Sequence, residues 1–118
     1  MNNTFNNKRK YFKPSHIVYY IYDDDCDREG RIITRSYIYT TSFNTVLKYF
    51  RKWNTYTYPL IKYCLSKDER KIYRLDSYTN LRNVSNEEEL EWETNDDTIT
   101  KSERLKITSA LNKDFKSL

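Results

Sequence analysis

Glycine and alanine are all but missing from this chain: one of each stands among 118 residues, beside two prolines, two cysteines and a single histidine. Each shortage removes a class of chemistry. Phosphate-cradling loops need glycines so that backbone can approach the ligand, and none can be built here. With His16 as the sole imidazole, a histidine-based triad would rest on one residue that merely opens an apolar run, and no nucleophile pattern accompanies it. Cys26 and Cys64 have neither metal-ligand spacing nor a CxxC arrangement. Two such thiols suit a reducing compartment, and nothing in the spacing supports a bridge. The longest apolar run, Ile17 to Tyr22, is too short to span a bilayer. The polar start, Met1 to Asn7, lacks a signal-peptide pattern. These absences predict a cytoplasmic protein with no membrane partner, no cofactor, no metal and no catalytic centre.

What is abundant is equally skewed. Eleven Asn, twelve Lys, twelve Tyr, nine Ile and five Phe make up 49 of the 118 residues. These residues have A/T-rich codons, so part of the tyrosine content reflects nucleotide bias. The length suits one domain with a modest core. Aromatics at 16% enlarge that core, since each ring buries roughly 150–250 Å².

The net charge of +4 conceals an asymmetry. Residues 1–59 carry ten basic and five acidic side chains, whereas residues 60–118 carry eleven and twelve. Glu87 to Asp97 holds seven acids and no base. A positive part and a negative segment argue against a simple nucleic-acid-coating protein.

Along the chain, residues 1–14 are Asn-rich and basic (Lys8, Arg9, Lys10, Lys13) and read as a flexible arm. Residues 15–118 read as a single α+β domain. His16 to Tyr22 is β-branched and aromatic, a strand signal. Asp23 to Gly30 reads as a turn and Arg31 to Tyr39 as a second strand. Phe43, Val46, Leu47 and Phe50 recur at i, i+3, i+4, i+7, one face of a helix that Trp53 extends and Asn54 can end. Thr40, Thr41 and Ser42 offer caps for its start. Tyr58 to Leu65 and Arg70 to Asp76 predict a second hairpin around the turn Ser66 to Glu69. Glu89 to Thr94 alternates as an edge strand would, although Ser85 and Glu88 have capping-box spacing. Thr100 and Glu103 repeat that spacing before a helix bearing Ile107, Ala110, Leu111, Phe115 and Leu118 on its apolar face. The order β-β-α-β-β-(β)-α predicts an antiparallel sheet of two hairpins, with a fifth edge strand where 89–94 pairs and both helices on one face. The first helix should bury against Ile17, Ile21 and Ile33, leaving the other sheet face open.

Two patterns resemble metal sites and then break down. Asp23, Asp25 and Asp27 alternate like the first ligands of an EF-hand, but position 6 is Arg28 and position 12 is Thr34. Glu69-Arg70-Lys71 has the spacing of a nuclease ExK, yet no acid lies between Glu29 and Asp68 to complete it. Solvated turns account for both.

Two surfaces remain. Tyr20, Tyr22, Tyr37 and Tyr39 would share a sheet face with Arg35, which suits base stacking or a protein contact. The acidic segment, with Glu87, Glu88, Glu89, Glu91 and Trp92, would suit a basic groove on a partner. The expected function is a small protein-binding module. Its size and A/T-biased composition resemble accessory proteins of low-GC phages and mobile elements, many of which inhibit a host enzyme or defence complex. That resemblance implies a viral inhibitor acting against host defence. The alternative is a nucleic-acid-binding regulator using the tyrosine face. Oligomeric state is left open.

Overall fold

Two consecutive residues of the first strand, Val18 and Tyr19, are both buried, at 0% and 4% exposure. Neighbouring side chains on a strand point to opposite faces, so this strand is covered on both. The computed structural model describes residues 16–53, 59–67 and 71–116. It contains β1 (His16–Cys26), β2 (Ile32–Thr40), α1 (Phe43–Trp53), β3 (Leu60–Leu65), β4 (Ile72–Ser77), 3₁₀ turns at Leu81–Asn83 and Glu87–Glu89, β5 (Glu93–Asn95) and α2 (Lys101–Lys116). The five strands form one antiparallel sheet in the order β2-β1-β3-β4-β5. The α+β class and the element order are those expected.

The helices lie on opposite faces of the sheet, which corrects the expected one-face arrangement. On one side Val46, Leu47 and Phe50 of α1 pack with Tyr19, Ile21 and Leu60, joined by Leu81, Val84 and Leu90. On the other, Ile107, Ala110 and Leu111 of α2 pack with Val18, Ile61, Tyr63 and Leu65. The physical reason is legible in the strands themselves. From Ile17 to Tyr22 β1 is an unbroken apolar run, and β3 is apolar but for Lys62, and both faces of such stretches must be covered. Burying each aliphatic or aromatic side chain of α1 stabilises by about 1.5–3 kcal/mol. Ile33 is not part of that core: it is 62% exposed. Ile33 falls at the register shift where Asp25 pairs with Thr34 and Cys26 with Ile32, at the exposed far end of the hairpin and beyond the strand residues that pack with α1.

Both helices start where the hydroxyls predict. Thr45 N–H donates to Ser42 Oγ at 3.2 Å. At α2, Glu103 N–H donates to Thr100 Oγ1 at 3.1 Å and Thr100 N–H returns to Glu103 Oε1 at 3.3 Å, a complete capping box. Ser85 and Glu88 form none; Ser85 N–H reaches Glu89 Oε1 instead. The strand expected over 89–94 is shorter, Glu93–Asn95, because Glu87–Glu89 closes a 3₁₀ turn and Trp92 packs into the α1-side core.

The first turn is also tighter than expected. β1 continues through Asp23, Asp24 and Asp25, which pair with Ser36, Arg35 and Thr34. The bend is confined to Asp27–Gly30, where Asp27 Oδ1 accepts from the N–H groups of Glu29 and Arg31. Gly30 has φ 82°, the left-handed region that the chain's one glycine enters without strain. Strand pairing to β3 ends at Tyr20. From Ile21 onward β1 pairs only with β2 among the described residues, so the hairpin runs on as a two-stranded ribbon. Every residue from Arg28 to Tyr37 is exposed. The basic arm expected over 1–14, Tyr58 as the expected start of the third strand, Asn54, Glu69 and Arg70, and the side chains of Phe115 and Leu118 lie outside the described residues.

Candidate functional site

The tyrosines of β1 and β2 are gathered by register. Tyr20 pairs with Tyr39 and Tyr22 with Tyr37, and directly opposed residues share a face. The rings touch in a chain: Tyr20 lies 4.5 Å from Tyr39, 5.6 Å from Tyr22 and 6.2 Å from Tyr37, centroid to centroid. Tyr37 meets Tyr39 edge-on at 5.9 Å. Arg35 lies over the Tyr22 ring at 4.1 Å, and Lys106 of α2 over Tyr37 at 4.2 Å. All five residues expected on this face are therefore together. Tyr37, 47% exposed, is the most open of the four rings.

Arg35 is committed across the ribbon. Its Nε and Nη2 donate to the two oxygens of Asp24 at 2.5 and 2.9 Å. That bidentate bond holds the Asp24 carboxyl below its ordinary value. The ribbon from Tyr22 to Tyr37 carries five acids against three arginines, so its own charge is negative.

Behind the tyrosines, between sheet and α2, an open pocket of about 340 Å³ is walled by Tyr20, Tyr22, Tyr39 and Tyr63. Arg35 stands at its ribbon end, with Arg74 and Glu103 also in its lining. Tyr63 Oη donates to Glu103 Oε2 at 2.6 Å. Arg74 Nε donates to Asp76 Oδ1 at 3.2 Å, and Asp76, 4% exposed, accepts a second bond from Asn95 Nδ2 at 2.6 Å. Burial draws the Glu103 carboxyl upward, but hydrogen bonds from Tyr63 and Thr100 and the charge of Arg74 outweigh it, leaving the group below the ordinary range. Burial, reinforced by Glu103, pushes the Tyr63 hydroxyl up. Tyr39 is raised as well, by burial first and then by Tyr20 and Glu103. Phenols stay neutral beside an ionised carboxylate.

Tyr63, Arg74 and Glu103 were not among the residues singled out from sequence. Tyr63 and Glu103 are forty positions apart, and only the packing of α2 on β3 joins them. The Thr100–Glu103 box was the one visible signal, and it reads as a cap alone.

The acidic segment lies on the α1 side, away from the tyrosine face. Glu87 is no free surface charge. Tyr19 donates its hydroxyl to Glu87 Oε2, and Lys62 Nζ donates to Oε1 at 2.6 Å. Lys62, whose side chain is 11% exposed, also lies over the Trp92 ring at 4.2 Å. Glu87 and Trp92 thus neutralise and cover a nearly buried lysine. Glu88, Glu89 and Glu91 remain exposed. Asp23, Asp25 and Asp27 do not converge, and no group of three or more His, Cys, Asp or Glu capable of holding a metal occurs among the described residues. No described helix is long and apolar enough to cross a membrane. Cys26 is exposed and Cys64 buried, and no disulfide joins them.

No protein-family model, curated protein or solved structure matches the chain.

Proposed function

We propose that the chain is a protein-binding module whose contact surface is the tyrosine face of the β1–β2 ribbon. The observation that carries this reading is the ordered contact of Tyr20, Tyr22, Tyr37 and Tyr39 on one face, with Tyr22 and the exposed Tyr37 on the ribbon and Tyr20 and Tyr39 half-buried at its base. Rings already held against one another lose little freedom on binding, and Tyr and Arg are enriched at interface hot spots. The same rings would suit nucleic-acid bases, but the charge opposes it. Arg35 is spent on Asp24, and a negative ribbon repels a phosphate backbone. A viral or mobile-element inhibitor of a host enzyme or defence complex is the partner relationship we propose on composition alone.

The test is binding to DNA and RNA against ionic strength. The protein-binding reading expects only weak, non-selective affinity at physiological salt, with a Kd of about 10⁻⁴–10⁻⁶ M. Nanomolar, structure- or sequence-selective binding to an oligonucleotide would overturn it.

A further inference from the structure

The pocket behind the tyrosine face holds three charged side chains of its own, and two of them are already neutralised. Arg35 is paired with Asp24, and Arg74 with Asp76. Glu103 has no ion-pair partner within 4.0 Å among the described residues. Its oxygens accept from Tyr63, from the Thr100 N–H and from the Thr100 hydroxyl. An ionised carboxylate has about four acceptor positions, so one remains. The three donors fix its direction and keep it charged. Around it stand the rings of Tyr20, Tyr39 and Tyr63, with Tyr39 and Tyr63 nearly parallel, 19° between planes. Asp24 and Asp76 neutralise the two arginines of the lining, so Glu103 is its one charge without an ion-pair partner, while Lys106, on the next turn of α2, is turned onto the Tyr37 ring.

Aromatic walls around one anchored carboxylate are the chemistry of cation recognition. Ring faces attract a cation through their quadrupole while also desolvating the apolar stem that carries it. We propose that this pocket receives a basic side chain of the protein partner, its charge set against Glu103 and its stem against the half-buried rings of Tyr20 and Tyr39. An arginine fits better than a lysine. Its flat guanidinium stacks on a ring and still turns one N–H toward the carboxylate, whereas an ammonium is strongly hydrated and loses more on entry. An acidic or phosphorylated group would meet Glu103 directly and would have to displace Asp24 or Asp76 from its arginine.

This inference rests on the protein-binding reading and specifies the anchor it would use. The experiment is a titration followed by two-dimensional NMR of the full chain. The probes are N-acetyl-arginine methylamide, N-acetyl-lysine methylamide and, as the anionic counterpart, phosphotyrosine. The expected result is saturable shifts around the pocket with the arginine probe, at a Kd of about 1–10 mM for so small a fragment. Lysine should bind more weakly and phosphotyrosine not at all. Glu103→Gln, which retains an acceptor for the helix cap, should weaken arginine binding about tenfold with the fold intact. Tyr39→Leu, which removes a wall and no charge, provides a second variant and should also weaken it. Tighter binding of phosphotyrosine, no saturable shift with arginine, or arginine binding unchanged in both variants would each overturn the proposal. Failure here leaves the ribbon surface standing, because partner contact at Tyr37 is read by a separate crosslinking measurement on the ribbon. Loss of that contact would sink the protein-binding reading itself.

Discussion

Tyr63 on β3 donates its hydroxyl to Glu103 at 2.6 Å, while the other oxygen of the same carboxylate caps α2 through Thr100. One side chain thus ties the helix to the sheet and closes the helix's own first turn. A carboxylate held below its ordinary value contributes stability that is complete above the unfolded value, about 4.3, and disappears as pH falls toward the lower folded value. The melting temperature should therefore drop on acidification below about pH 4.5. Glu103→Gln should lower it at neutral pH and flatten that acid limb. Thermal melts of both proteins from neutral pH down to pH 3 provide the check, and parallel acid limbs would rule the linkage out.

Phe50 and Ile33 make opposite predictions about the core. Phe50 is 4% exposed under the sheet, so Phe50→Ala should cost about 3–5 kcal/mol. Ile33 stands in solvent on β2, and Ile33→Ser should change stability by less than about 0.5 kcal/mol. Urea unfolding curves distinguish the two. Equal losses would mean that the ribbon is packed.

Glu87 should behave unlike its neighbours. Removing it leaves the nearly buried Lys62 ammonium and the Tyr19 hydroxyl without their acceptor, and a buried polar group left unpaired costs about 1–3 kcal/mol. Glu87→Ala should show that loss in denaturant unfolding. Glu88→Ala and Glu91→Ala, both at exposed positions, should stay within about 0.5 kcal/mol of the parent. A neutral Glu87→Ala would return the segment to the status of a solvated acidic loop.

Periodicity made much of this legible. The i, i+3, i+4, i+7 spacing of Phe43, Val46, Leu47 and Phe50 located α1, and the two-residue period of side-chain direction along a strand put Tyr20, Tyr22, Tyr37 and Tyr39 on one face. The placement of the helices was not recovered, although its signal was present: the unbroken run from Ile17 to Tyr22 demands cover on both sides. The ribbon was hidden by its aspartates. Strand propensity disfavours Asp, yet Asp23, Asp24 and Asp25 pair with β2, and Asp24 accepts from Arg35 across the strands. Glu87 looked like one of seven equivalent acids because its partners, Tyr19 and Lys62, are 68 and 25 positions away. Tyr63 and Glu103 were missed for the same reason. Side-chain pairs made by packing leave little mark on local pattern.

The most direct test of the account places a photo-crosslinking amino acid at Tyr37 and, in a second protein, at Glu88, each expressed in the cells that naturally make the chain. Both positions are exposed, but they lie on opposite sides of the sheet. The account predicts one discrete protein adduct from position 37, abolished by Tyr22→Ala with Arg35→Ala, and none of comparable yield from position 88. Crosslinks from position 37 to nucleic acid, or equal protein adducts from both positions, would contradict it.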